Sequence, residues 1–199
     1  MKIALCATHL FNMSLPHDID YIGVDHGVEE LLNQGIVPKF AIGDFDSLKD
    51  RHHLDHLNIQ ILPERKDVTD THAAIEYAIS KGYDEIVIYG VTGGRLDHFF
   101  AVMCLLEKYQ DISIKLIDSQ NCIQLLKSGK HYIYHQGYYY FSLFALNESI
   151  VSIEQAEYLL DHYLLKRDDP LCVSNEVKGE YAIIENSKNI ILVQSRDAR

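Results

Sequence analysis

Four acidic motifs stand out among the 199 residues, because each places carboxylates shortly after an apolar run. Asp25 follows Tyr21-Ile22-Gly23-Val24. Asp44 and Asp46 lie in Gly43-Asp44-Phe45-Asp46-Ser47, and Asp67, Thr69 and Asp70 in Lys66-Asp67-Val68-Thr69-Asp70. Asp97 lies in Gly93-Gly94-Arg95-Leu96-Asp97-His98. Two carboxylates separated by one residue just past a strand can face one cavity when the chain turns there, and Gly43 eases that turn. Hard oxygen donors of this kind suit Mg2+, which takes one or two carboxylates and fills its shell with water and substrate phosphates. The paired glycines ahead of a helix expose backbone N–H groups, and the helix N-terminus favours an anion there. Arg95 can add a two-pronged contact to phosphate oxygens. Together these parts describe a site for a metal-bound polyphosphate.

Each motif also has an ordinary reading. Asp70 can be a helix N-cap, Asp25 a turn or capping residue, and Gly93-Gly94 a plain turn. His98 either orients Asp97 or a phosphate, or is structural. Recurrence of the aspartates at successive strand ends favours chemistry over these readings. His52, His53 and His56 fall in a polar stretch that reads as a solvated face, and residues 138–140 read as strand.

The elements that must gather these motifs are legible in the apolar pattern. Residues 2–7, 21–24, 39–42, 59–62, 85–89 and 113–117 are nearly continuous in apolar side chains, as strands covered on both faces are. Residues 28–33, 70–80 and 96–109 carry apolar side chains at helical spacing, Ala73, Ala74, Tyr77 and Ala78 forming one face. Strand and helix in alternation predict an α/β fold with a mostly parallel sheet flanked by helices, whose ligands bind beyond the carboxyl ends of the strands. After Ser119 the pattern changes. Residues 123–126, 132–134, 138–146, 158–160, 181–185 and 190–194 read as short strands with no strong helix between them, which predicts a smaller all-β part resembling an antiparallel sandwich or barrel. The expected domains are 1–119, binding nucleotide and metal-polyphosphate, and 120–199.

Composition narrows the class. With 47% hydrophobic residues the chain can bury a real core, and its formal charge of −11, without a Lys/Arg run, argues against nucleic acid. No stretch approaches the roughly 20 apolar residues needed to cross a bilayer, and the first eleven lack a secretory pattern. A cytoplasmic enzyme is expected. Cys6, Cys104, Cys122 and Cys172 form no Cys-x-x-Cys pair and read as small buried hydrophobes in a reducing compartment.

The motifs Gly43 to Ser47, Lys66 to Asp70 and Gly90-Val91-Thr92-Gly93-Gly94-Arg95-Leu96-Asp97-His98, followed by Cys172-Val173-Ser174-Asn175-Glu176, together resemble the thiamine pyrophosphokinase family in order and separation. That resemblance implies transfer of the diphosphate of ATP to the hydroxyl of thiamine, with release of AMP. It assigns Asp44, Asp46, Asp70 and Asp97 to magnesium and the polyphosphate, with Asp67 as a fifth member. Thr92, Gly93, Gly94 and Arg95 correspond to the phosphate loop, and Asp25 to a nucleotide-side acid. Ser174 and Asn175 correspond to the thiamine pocket of the β-rich domain, and the family layout implies a homodimer. The chain departs from the family at Cys6-Ala7-Thr8-His9, where glycines are common, and at His72, where an acid is common. It also lacks the tryptophan that stacks on thiamine in some members, for which Tyr163 is the nearest candidate by position. Two rivals are a phosphohydrolase of the haloacid dehalogenase type, against which Leu48 stands, and a pyrophosphokinase for another alcohol such as a pterin. A non-catalytic nucleotide- or thiamine-binding relative is a third alternative.

Overall fold

The computed structural model describes residues 1–7, 10, 13–43, 45, 58–61 and 67–198, and the chain divides into two units, Met1–Asp118 and Ser119–Arg199. In the first unit the order is β1 (Lys2–Cys6), β2 (Tyr21–Val24), α1 (Gly27–Asn33), β3 (Phe40–Gly43), β4 (Ile59–Ile61), α2 (Asp70–Ser80), β5 (Glu85–Tyr89), α3 (Leu96–Lys108) and β6 (Ser113–Ile117). Its strands pair in the order β6-β5-β1-β2-β3-β4, every neighbour parallel. Ile3, Leu5, Ile22, Ile86, Ile88 and Leu116 are fully buried, each such side chain contributing about 1.5–3 kcal/mol. The sixth strand differs from expectation. In β6, Ile114 and Leu116 are buried while the residues between and around them are partly or fully exposed, so Lys115 keeps its charge near water.

Parallel pairing brings all the carboxyl ends to one edge, which is what the acidic motifs require. The chain also reverses direction across the sheet: β1 to β4 build outward on one side of β1, and β5 and β6 on the other. In open α/β sheets the neighbouring strand ends at such a reversal, here those of β1 and β5, are where ligands generally bind.

The second unit contains β7 (Asn121–Leu126), β8 (Gly129–Tyr134), β9 (Tyr140–Ala145), β10 (Glu148–Glu154), β11 (Leu160–Lys166), β12 (Asn175–Glu176), β13 (Tyr181–Asn186) and β14 (Ile190–Ser195). They form two antiparallel arrays, β12-β9-β14-β7 and β11-β10-β13-β8. Leu126, Phe141, Leu143 and Leu192 of the first share one core with Ile133, Val151, Leu165 and Ile184 of the second. This is the expected antiparallel sandwich. Three details differ from the sequence reading. The run 138–146 is β9 alone, and a further strand, β10, follows it. Its alternation of exposed Glu148, Ile150 and Glu154 with buried Ser149, Val151 and Ile153 broke the apolar signal. Residues 158 and 159 are not strand, since β11 begins at Leu160. Cys104 is exposed on α3, whereas Cys6, Cys122 and Cys172 are buried as expected.

Candidate active site

The strand ends of the first unit are built by close backbone approach. The amide of Asp25 donates to the carbonyl of Ile42 at 3.0 Å, tying the end of β2 to that of β3, and Asp25 adopts a left-handed φ of 48°. Gly43 sits so near that a Cβ there would lie 2.8 Å from Asp25 Cγ and 3.2 Å from its Cα. Gly27 plays the same part between α1 and β1, since a Cβ would fall 2.6 Å from the carbonyl carbon of Cys6. Phe45 has φ 56° and is 2% exposed, packed with Val28, Ala41 and Leu32. A bulky residue in that conformation marks a sharp turn held by its surroundings. The expectations for Asp44 and Asp46, and for His52, His53 and His56, lie outside the described residues.

Thr69 caps α2: its hydroxyl accepts from the amide of His72 at 3.2 Å, with extended backbone at Thr69 itself. The cap is therefore not Asp70, which becomes the first helical residue, half-buried beside exposed Asp67. The departure at His72 is accommodated by a polar bridge between helices. Its Nε2 lies 2.8 Å from the Tyr109 hydroxyl, which in turn donates to Glu76 at 2.8 Å. Burial and that glutamate push the Tyr109 hydroxyl up to about 12.

Between β5 and α3 the chain turns through Gly90 and Gly93, both at φ 78°. Thr92 is half-buried, and Gly93, Gly94, Arg95, Asp97 and His98 are exposed. Arg95 is the N-cap of α3 but makes no side-chain cap bond to the helix. Its guanidinium instead donates to both Asp97 oxygens, at 3.1 and 2.5 Å. That bidentate pair raises Arg95 above its ordinary pKa and holds Asp97 below the usual carboxylate range.

The second unit carries a cavity of about 510 Å³ lined by Ile153, Tyr158, Leu159, Leu160 and residues 171–175. Tyr158 and Leu159 are each 65% exposed and Leu171 56%, a concentration of apolar surface that a ligand would cover. Ser174 has φ 57°, and its amide donates to the hydroxyl of buried Ser142 at 3.0 Å. Cys172 is pushed up to about 11 by burial and then by Asp169, so it meets the cavity as a neutral thiol. Tyr163, expected to supply the stacking ring, does not line this cavity. It packs against the core and donates its hydroxyl to Asp169 at 2.6 Å.

Residues 14–117 match the model of the thiamin pyrophosphokinase catalytic domain, and residues 130–191 that of the thiamin pyrophosphokinase vitamin B1 binding domain. The chain belongs to the thiamine pyrophosphokinase family. A thiamine pyrophosphokinase of Bacillus subtilis (strain 168) is 35% identical over 187 residues, 89% of this chain and 87% of that protein. A solved B. subtilis thiamine pyrophosphokinase superposes with a TM-score of 0.89 at 31% identity, covering the whole of both chains. The thiamin pyrophosphokinase of Geobacillus thermodenitrificans gives 0.88 at 28% identity, over 100% of this chain and 99% of that one.

Within this family member, Asp25, Asp67, Thr69, Asp70, Thr92, Gly93, Gly94, Arg95, Asp97 and His98 all occupy loops or helix starts beyond the carboxyl ends of the parallel strands. Among the described residues no group of three or more His, Cys, Asp and Glu is placed to hold a metal ion. Ser174 and Asn175 line the cavity of the second unit, as does Tyr158, which the sequence reading passed over as strand. Three consecutive apolar residues, Tyr158-Leu159-Leu160, were the available signal. That run reads equally as a covered strand, so the 65% exposure of Tyr158 and Leu159 is visible only in the structure.

Proposed function

We propose that the protein transfers the diphosphate of ATP to the hydroxyl of thiamine, giving thiamine diphosphate and AMP. The observation that carries this is the match of the two family models, catalytic over the acidic strand-end loops and vitamin B1 binding over the segment that holds the cavity. The thiamine hydroxyl attacks the β-phosphorus of ATP, the bond from that phosphorus to the oxygen bridging the α-phosphorus breaks, and AMP leaves with the bond electrons. The hydroxyl proton passes to a carboxylate, Asp97 or Asp70. The backbone of Gly93 and Gly94, with Thr92 and Arg95, orients the phosphates, and Asp25 lies on the nucleotide side. Positioning and charge neutralisation, rather than covalent chemistry, supply the rate in such transfers. Asp44, Asp46 and Asp70, with Asp67 and Asp97, would hold Mg2+, and the all-oxygen donor set fits that ion. When bound, it supplies positive charge against the polyphosphate.

In the second unit, Tyr158, Ser174 and the apolar walls receive the thiamine. A tyrosine face attracts a cationic ring by about 0.5–2 kcal/mol. A cavity of about 510 Å³ falls within the usual range for small ligands. The proposal includes a homodimer, testable by light scattering, and a cytoplasmic location, supported by four free cysteines. Among the described residues no helix is long and apolar enough to cross a membrane.

The test is direct. Purified protein with ATP, Mg2+ and thiamine should form AMP and thiamine diphosphate in equal amounts, and Asp46→Asn should abolish both while the protein stays folded. Release of inorganic phosphate without thiamine diphosphate would reject the proposal. Near-wild-type turnover of D46N would reject the metal role of Asp46.

A further inference from the structure

Asn175 has one of the buried polar side chains of the second unit, 3% exposed, although it lines the cavity. Its amide is engaged by the chain itself. Oδ1 accepts from the backbone amides of Tyr158 at 3.0 Å and Glu176 at 2.9 Å, and Nδ2 donates to the carbonyl of Tyr158 at 2.7 Å.

The setting explains why an amide is needed. The chain leaves β10 through Gln155, at φ 55°, and then runs beside residues 176–178. The amide of Glu157 donates to the carbonyl of Glu176, that of Lys178 donates to the carbonyl of Gln155, and Ala156 forms a bridge with Val177. At Tyr158 this backbone ladder gives way to the Asn175 side chain, which offers a donor and an acceptor side by side as a peptide unit does. Asn175 is itself fixed, because its own backbone pairs with Phe141 of β9, a residue 1% exposed. Tyr158, by contrast, has a largely exposed side chain. Its place on the cavity wall is therefore set through its backbone.

We infer that Asn175 is a positioning residue: without touching the substrate, it locks the backbone of Tyr158 and so places the aromatic wall of the cavity. This rests on the reading of that cavity as the thiamine site. Ser, Thr and Ala cannot replace both bonds. Asp retains the accepting oxygens but turns one against the Tyr158 carbonyl.

The experiment compares the full-length wild type with N175A, N175D, Y158A and N175A/Y158A. It reads KM for thiamine, KM for ATP, kcat and thermal midpoint. N175A and N175D should each raise KM for thiamine about tenfold, with kcat and KM for ATP changed less than about twofold. Y158A should raise KM for thiamine similarly, and the double variant should be no worse than Y158A within about twofold, because Asn175 acts through Tyr158. Penalties that multiply in the double variant would overturn the inference and make Asn175 an independent contact. Equal losses toward ATP and thiamine would overturn it in favour of a general folding role. If N175A does not fold, N175D, which preserves size, decides by the same criteria. A wild type that forms no thiamine diphosphate would overturn the proposed function and this inference together, whereas an active wild type with multiplying penalties removes only the inference.

Discussion

Gly94→Ala separates what the loop between β5 and α3 needs for folding from what the proposed phosphate contact needs. A Cβ at Gly94 would meet no atom within 4 Å, and Gly94 is not in the left-handed region, unlike its neighbour Gly93 at φ 78°. The free protein therefore loses nothing by the added methyl. Gly-to-Ala changes at compatible positions stabilise by about 0.4–1 kcal/mol through the unfolded chain. For a chain of this size that is a rise in thermal midpoint of about 1–4 °C. On the proposed function the same methyl stands where phosphate oxygens approach the backbone. Loss of one hydrogen bond to a charged group costs about 1.5–3 kcal/mol, or roughly ten- to hundredfold in kcat/KM for ATP. The assay is a melting curve by circular dichroism beside AMP formation at varied ATP. Full activity in a protein of unchanged or raised stability would refute the assignment of this loop to phosphate. A lowered midpoint would refute the structural half of the reasoning.

Gly43→Ala should behave oppositely. Its Cβ would stand 0.2–0.6 Å inside ordinary 3.4 Å contact with the Cα and Cγ of Asp25, so strand end and carboxylate must both shift. Overpacking of this kind costs about 1–3 kcal/mol, and the midpoint and the rate of AMP formation should fall together. A wild-type midpoint and rate would show the approach to be unimportant. Cys172 gives a pH signature. Its folded pKa is raised from 9.0 to about 11, so its contribution to stability is complete below pH 9 and is lost as pH climbs through 11. Urea midpoints should therefore decline between those values, and less so for Cys172→Ala; equal slopes would contradict the assignment. At pH 8, iodoacetamide mapped by mass spectrometry should modify Cys104 before Cys172.

How much was legible follows from where each signal lies. The parallel sheet was readable because β1, β2, β3 and β5 are covered on both faces and so are almost continuously apolar. Parallel strands share one edge, so the loops that follow them in sequence leave the sheet on that side. The second unit was readable as β and poorly readable in detail. Its strands are half-buried, and Glu148, Ser149 and Ser152 broke β10 into apparent loop. Position along the sequence points to Tyr163 as a candidate ring, and the structure adds that its hydroxyl donates to Asp169. A polar partner several residues away decides whether a tyrosine faces core or cavity, and no periodicity encodes that partner. The bond from Asn175 to Tyr158 spans 17 residues and was hidden for the same reason.

The Arg95–Asp97 pair bears on the roles proposed for both residues. The family resemblance assigns Arg95 to phosphate and Asp97 to metal, and in the structure the two side chains bond each other. Their side chains are 74% and 62% exposed, and water screens a pair so open that it adds little to stability. That weakness suits the proposed role. A triphosphate brings several oxygens to the same guanidinium, and an arginine held by a single solvated carboxylate can exchange it at small cost, freeing Asp97 for the metal or the hydroxyl proton. A buried, fully desolvated pair would resist the exchange, because separating its members would strand a charge away from water. On the proposed function, the exposure of the loop is thus what would let Arg95 trade its bonds to Asp97 for phosphate oxygens.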